Sequence, residues 1–379
     1  MNNKFKKILI IRLGAVGDVV NVLPALRVLR EAKPDSYIAW LVEERAKDII
    51  SGNPDLDEVL VFPRKKWQKE IINPITIFST ILEAVRFFKS LRNKDFDLVI
   101  DFQGNLKSGL MTMLSRGRVR LGFDNKTCKE WNHLFTNLHG HIPTQRIHRI
   151  DKNLNLLKAI NISSGYKRPH LNIPVEDKEF ISEFLQQNIK GKKPLAVIHP
   201  GTSDFGEYKR WPASNYASLA DLIIEKLGVN VIFTWGFSEL DMVREIVSKM
   251  RQHAVISCKT RSLKQLAEII RRSDIFISGD TGPMHIASIM DKPIVAIFGP
   301  KDPIIYGPYA YRAKARKDGS CIPGSISGTA RVVRKDMPCS PCKKRTCENN
   351  DCIKTISPDE VFQSVEQLLL TQRGIRYRV

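Results

Sequence analysis

The sequence predicts an α/β protein built of two doubly wound, parallel-sheet domains facing each other across a cleft. Three observations lead there. Apolar strand-like runs alternate with amphipathic helical stretches. A segment rich in Gly, Pro and charge near 166–193 interrupts that alternation, after which it restarts. The length, 379 residues with 42% hydrophobic, suits two cores better than one.

In order, "KILIIRL" is a buried strand and is followed by a helix from about Val16 to Ala32. "SYIAWLV" is a strand followed by the helical "EERAKDIISG". "STILEAVRFFKSLR" is a helix that leads into the strand "DLVIDFQG". The first domain is assigned to 1–165 and the connection, with one short helix, to 166–193. In the second series "PLAVIHPGT" precedes a helix near Ala213–Leu227, and "VNVIFTWG" precedes "SELDMVREIVSKM". "SLKQLAEIIRRS", "DIFISGDTG", "PMHIASIM" and "PIVAIFGP" then alternate helix and strand. This domain is assigned to 194–356. Residues 357–379 form a last amphipathic helix capped by Ser357.

The charge is lopsided: 60 Lys+Arg against 40 Asp+Glu, formally +20. Such a field favours anionic partners, whether nucleic acid, a membrane face or phosphorylated substrates. No recognition helix, zinc finger or RNA-binding signature accompanies it, which disfavours nucleic acid. The start, "MNNKFKKILIIRLGAVGDVV", is interrupted by Arg12 and Asp18 and reads as a strand and helix rather than a signal peptide. The expected location is cytoplasmic.

The segment 339–352, "CSPCKKRTCENNDC", places Cys339, Cys342, Cys347 and Cys352 at C-x2-C-x4-C-x4-C. Four thiols this close suit a structural zinc ion. Two disulfides are the alternative, disfavoured in a reducing cytosol.

Candidate chemistry sits at strand ends, where open α/β sheets bind ligands. In "RLGAVGDVV", Asp18 is either a first-turn carboxylate favoured by the helix dipole or a general base. In "HPGTSDFGEYKRWP", the hydroxyls of Thr202 and Ser203 and the charges of Lys209 and Arg210 suit a phosphate; a solvated loop is the plainer reading. In "SGDTGPMHI", Pro283 opens a helix whose Thr281 and Gly282 amides form an anion site. Asp280 there is an N-cap or a ligand group, and His285 is a donor or inert packing. In "TWGFSELD", Glu239 is a ribose acceptor or a first-turn carboxylate.

Taken together and in this order, "RLGAVGDVVNVLPAL", "DFQGNLKSGL", "HPGTSDFGEYKRWP", "TWGFSELD" and "SGDTGPMHIASIMDKPIVAIFGPKDP" resemble the family 9 glycosyltransferases, the bacterial lipopolysaccharide heptosyltransferases. "DFQGNLKSG" and "RLGFD" are most similar to the type I members. The resemblance implies a GT-B fold and inverting transfer of L-glycero-D-manno-heptose from ADP-heptose to the Kdo of the inner core. Alternatives are addition of the second heptose or another nucleotide sugar. The resemblance makes Asp18 the base and places Thr202, Ser203, Lys209, Glu239, Asp280, Thr281, Gly282 and His285 around the donor. Around the acceptor it places Gly17, Lys65, Lys66, Lys69, Gln103, Lys107 and Lys129. It implies no required cofactor, Kdo-lipid A and an anionic membrane surface as partners, and a peripheral position on the inner face of the bacterial inner membrane.

One further stretch, "NPITIFSTILEAVRFFKSLR", has apolar Ile77, Phe78, Ile81, Leu82, Val85 and Phe88 on helical spacing. It reads as an ordinary core-facing helix, with contact to an anionic leaflet as the alternative.

Overall fold

The computed structural model describes residues 5–189, 191–202, 204–311, 314–315, 321–322, 328–342 and 347–376. It divides into two compact units, 1–172 and 173–379.

The first unit runs β1 (Lys7–Ile11), α1 (Val16–Val20), α2 (Leu23–Ala32), β2 (Tyr37–Glu43), α3 (Glu44–Ile50), β3 (Glu58–Phe62), α4 (Arg64–Glu70), α5 (Ile77–Asn93), β4 (Leu98–Asp101), α6 (Leu106–Leu114), β5 (Val119–Phe123), β6 (Leu138–Gly140) and α7 (Arg149–Leu157). The sheet order is β3-β2-β1-β4-β5-β6 and every pairing is parallel. Ile8 to Ile11 of β1 are fully buried. A strand covered on both faces needs such a continuous apolar run, and each of these side chains contributes about 1.5–3 kcal/mol by leaving water.

The second unit runs α8 (Val175–Asn188), β7 (Leu195–His199), α9 (Ala213–Leu227), β8 (Asn230–Phe233), α10 (Leu240–Ser248), β9 (Val255–Ile256), α11 (Leu263–Arg272), β10 (Ile275–Gly279), α12 (Gly282–Ile289), β11 (Ile294–Phe298), α13 (Pro303–Tyr306), the short pair β12 (Lys314–Ala315) and β13 (Cys321–Ile322), β14 (Ala330–Arg334), α14 (Asp351–Lys354) and α15 (Pro358–Arg376). Its main sheet, also all parallel, has the order β14-β11-β10-β7-β8-β9. Counted from each unit's first strand, the two orders are the same. In each, the first and fourth strands lie side by side at the point where the winding reverses, and α/β sheets open a ligand crevice there. In the first unit that point lies between β1 and β4, in the second between β7 and β10. Among the described residues no helix is long and apolar enough to cross a membrane.

Two sequence expectations need correction. The single helix expected over Val16–Ala32 is two helices, parted at Asn21 and Val22. Pro24 sits in the first turn of α2, where a missing N–H costs nothing, whereas in a continuous helix it would clash with the preceding turn. Helix α5 does not turn its apolar stripe to the core. Only Thr80 and Leu91 of it are buried, while Ile77, Phe78, Ile81, Leu82 and Val85 are exposed. Phe87 and Phe88 hold it to the sheet by packing with Phe62 and Trp67. By contrast, Ser357 caps α15 as expected: its Oγ accepts from the Glu360 N–H, and its own N–H donates to the Glu360 carboxylate at 2.9 Å.

Candidate functional site

In the first unit the chain leaves β1 through Arg12 and Leu13 and enters α1, with Asp18 in its first turn. Asp18 accepts a 2.5 Å ion pair from Arg12, and its side chain remains 39% exposed. Arg12 also donates to the Phe102 carbonyl at 2.8 Å, which ties the end of β1 to the segment after β4. The adjacent register of these strands, Ile11 against Asp101, makes this possible.

Asp101 organises that segment. Buried at the end of β4, it accepts hydrogen bonds from the Gln103 and Gly104 N–H groups, the Ser108 hydroxyl and the Asn132 amide. Burial nonetheless raises its pKa. Gly104 has φ +71°, and a Cβ there would lie 2.9 Å from the Phe123 ring, so only glycine fits without strain. Gln103 is thereby aimed back at the first loop, where its Oε1 accepts from the Leu13 N–H at 3.0 Å.

Arg12, Asp18, Asn21, Phe102, Gln103, Arg149, Lys152 and Asn153 line one small polar pocket. Asn153 on α7 donates to the Asn21 carbonyl, which fixes α7 against α1. Lys152 lies 4.1 Å from the Phe123 ring centroid. Burial first, then the charges of Arg149, Arg12 and Lys129, pull its pKa down to about 8. The sequence reading missed Arg12, Arg149 and Lys152 as site residues. A legible signal was Arg12, a charge at the end of an otherwise apolar buried strand.

The other expected acceptor residues fall in two groups. Gly17 lies beside Asp18 in α1, and its carbonyl accepts from Asn21. Lys129 donates its backbone N–H to Gly104, and its charge acts on Lys152. Lys107 pairs with Glu43 at 2.6 Å, and Arg64 reaches the same carboxylate at 3.4 Å. Glu43 lies beside Gly14 of the first loop. Lys65, Lys66 and Lys69 instead stand exposed on α4, Lys66 paired with Glu83 at 2.7 Å.

In the second unit, neighbouring β7 and β10 bring the second and third loops together. Lys209 and Asp280 form a 2.7 Å ion pair, both largely buried. Asp280 is therefore not the N-cap of α12; that is Thr281, in an extended conformation. The first amides of α12 have no partner within the helix and carry its positive dipole end. Thr202 is buried, its hydroxyl accepting from the Arg210 guanidinium at 3.0 Å. Ser203 lies outside the described residues. His285 is buried within α12.

Glu239 is the N-cap residue of α10 and is buried, its Oε2 accepting from the Gly236 N–H at 2.7 Å. It occupies the space left by the missing side chain of Gly201, where a Cβ would lie 2.0 Å from the carboxylate. His199 lies 3.7 Å away and donates to or accepts from Thr234 at 3.0 Å. Burial pulls its pKa down to about 4, so the imidazole is neutral and the Glu239 contact is not an ion pair. Lys209 and Lys301 both approach the Tyr208 ring, which adds a second cation, from the loop after β11, that the sequence reading did not single out.

The cysteine segment is drawn towards the end of β11. The Cys342 N–H donates to the Pro300 carbonyl at 2.6 Å, and the Cys352 sulfur lies close to Gly299. Burial, reinforced by the neighbouring thiols, raises the Cys352 pKa. Cys339 and Cys347 are exposed. Among the described residues no three His, Cys, Asp or Glu side chains are arranged to hold a metal ion.

These strand-end sites can be set beside known proteins. Residues 84–353 match the family model described as glycosyltransferase family 9 (heptosyltransferase). The chain is 29% identical to a lipopolysaccharide heptosyltransferase 1 of Campylobacter coli, over 96% of this chain and 98% of that one. An Escherichia coli protein of the same description is 29% identical over 80% of this chain and 89% of its own. Among solved structures, a family 9 glycosyltransferase from Veillonella parvula superposes with a TM-score of 0.79 at 24% identity, covering 98% of each chain. That likeness shows the fold, and the fold is GT-B. With the family model spanning well over half its length, this chain belongs to glycosyltransferase family 9, the heptosyltransferases, and is an enzyme.

Proposed function

We propose that this enzyme transfers L-glycero-D-manno-heptose from ADP-heptose to the Kdo of the lipopolysaccharide inner core, with inversion at the anomeric carbon. One observation carries the reading. Asp18, a half-exposed carboxylate, shares its pocket with Arg12, Arg149 and Lys152. A base surrounded by cations suits an acceptor that is itself a sugar acid. The names of the relatives, lipopolysaccharide heptosyltransferase 1, favour the same donor and acceptor class.

Asp18 takes the proton from the acceptor hydroxyl as that oxygen attacks the anomeric carbon. Arg12 orients its carboxylate, and Gly17, Gln103, Lys107, Lys129, Lys65, Lys66 and Lys69 supply polar and cationic contacts to the acceptor. The bond to ADP breaks on the opposite face, and charge grows on the departing diphosphate. Lys209, the Thr281 and Gly282 amides and the hydroxyls of Thr202 and Ser203 stabilise it. One such donor is worth roughly 3 kcal/mol of barrier. Asp280 holds Lys209 in place, His285 lies on the helix that faces the donor, and Glu239 binds the ribose. With that set of donors the reaction is written without a required cofactor. The acceptor is lipid-borne, so the enzyme works peripherally at the cytoplasmic, anionic face of the inner membrane.

The deciding assay incubates the purified chain with ADP-heptose and Kdo2-lipid A, alongside other nucleotide sugars and an already heptosylated acceptor, and reads products by mass spectrometry. Heptose should appear on Kdo, and Asp18→Asn should slow transfer by about 10²–10⁴-fold with ADP binding retained. Transfer only to the heptosylated acceptor would assign the second-heptose reaction, whose enzymes also occur among the relatives (a lipooligosaccharide heptosyltransferase 2 of Campylobacter jejuni is 26% identical). No transfer to either acceptor refutes the proposal.

A further inference from the structure

The first unit carries an apolar surface that no described residue of that unit covers. Ile72, Ile75 and Phe78 are 81%, 89% and 71% exposed, and Ile71, Ile77, Ile81, Leu82 and Val85 extend the patch. Water-facing side chains of this size in one contiguous stretch are costly unless something seats on them. Beside them runs an apolar groove of about 330 Å³, walled by Trp67, Ile81, Val85 and Phe88 and closed by Leu114 of α6. The same helix α6 exposes Leu106, Leu110 and Met113, three residues on one helical face.

The charges around the patch say what seats there. Residues 64–93 hold seven basic residues (Arg64, Lys65, Lys66, Lys69, Arg86, Lys89 and Arg92) against two acidic ones, Glu70 and Glu83. Glu83 is already paired with Lys66. On α5, Lys89 follows Val85 by one turn on the exposed side, and Arg86 flanks it. Exposed apolar side chains edged by exposed cations match the boundary between anionic headgroups and acyl chains. A second copy of the chain fits poorly, because a self-complementary contact would set this net positive face against itself.

We propose that α4, the 71–76 link and the N-terminal half of α5 form an interfacial membrane-docking element. Ile72, Ile75 and Phe78 enter the acyl boundary, and Arg86 and Lys89 lie among lipid phosphates. This deepens the proposed function and takes from it only that the acceptor is lipid-borne. Docking the first unit in this way presents a membrane-embedded acceptor to the unit that carries Asp18.

The test is flotation of the full chain with vesicles of phosphatidylglycerol and phosphatidylethanolamine, against neutral phosphatidylcholine vesicles, with no donor or acceptor present. The parent should float with the anionic vesicles, and less so at raised salt. Ile75→Asp combined with Phe78→Asp changes two side chains that face solvent, and its circular dichroism should match the parent's. It should lower the partition coefficient at least tenfold. Arg86→Glu with Lys89→Glu should abolish the preference for anionic over neutral vesicles. On a deacylated, water-soluble acceptor, parent and Ile75/Phe78 variant should turn over equally. Inactivity of both there would count against the proposed function and leave the vesicle result standing. The docking proposal is overturned if the parent fails to float, if the Ile75/Phe78 variant floats equally, or if the parent is a dimer that this variant dissolves.

Discussion

Lys152 offers the sharpest quantitative test of the electrostatics around Asp18. Its ammonium is buried among the cations of Arg149, Arg12 and Lys129, and its pKa falls from 10.5 to about 8. A lysine whose folded pKa is lowered binds fewer protons in the native than in the unfolded chain. Native stability therefore rises with pH across the window between the two values and carries the full penalty below it. The penalty is about 3 kcal/mol near pH 7, at 1.36 kcal/mol per unit, and falls to roughly 1.4 kcal/mol near pH 9.5. Replacing Lys152 with Met removes the titration and keeps an apolar stem against Phe123. Any change in packing shifts the variant equally at all pH values, so the informative quantity is the pH dependence of the difference. Urea unfolding of parent and variant should show the advantage of Met shrinking by about 2 kcal/mol between those two pH values. A difference that stays flat within about 0.5 kcal/mol would refute the claim that buried like charges surround this lysine. If the pocket receives an acidic sugar, acceptor binding should also take up a proton in the parent near pH 8 and not in the variant; calorimetry in two buffers reads this directly.

Three other outcomes follow from the second unit and the loop after β4. On the proposed mechanism, in which its cation stabilises the departing diphosphate, Lys209→Gln should lower kcat by about 10²–10³-fold while the acceptor KM holds; an unchanged kcat in steady-state assays would remove Lys209 from that role. Gly201→Ala places a methyl group 2.0 Å from the Glu239 carboxylate and must evict it. ADP affinity, read by calorimetry, should fall about tenfold, and affinity equal to the parent's would show that Glu239 does not touch the nucleoside. Gly104→Ala forces a left-handed backbone and a contact with Phe123, so denaturant unfolding should show a loss of about 1–3 kcal/mol.

Much of the fold was legible because parallel strands covered on both faces must be continuous apolar runs. "KILII", "LAVIH", "IFISG" and "IVAIF" are such runs, and each forms a strand with almost no exposed side chain. Outer strands such as β3 and β14 are mostly half-buried and carry a weaker pattern, and they went unassigned. The break between α1 and α2 was written in Pro24, but hydrophobic spacing alone runs through it.

The sequence by itself marked the candidate loops: glycines, hydroxyls and isolated charges stand directly after buried apolar runs. Tertiary structure alone decided which loops meet. Strand order sets β1 beside β4 and β7 beside β10, so Gln103 reaches Leu13 and Lys209 reaches Asp280 across 90 and 71 residues of chain. It also brought Lys152, from a helix with no motif, into the Asp18 pocket. And it left the apolar stripe of α5 in water, because a helix packs by whichever side faces its sheet; Phe87 and Phe88 took that side. Helical periodicity records that a face is apolar, while only the packed chain determines whether that face meets protein or something outside it.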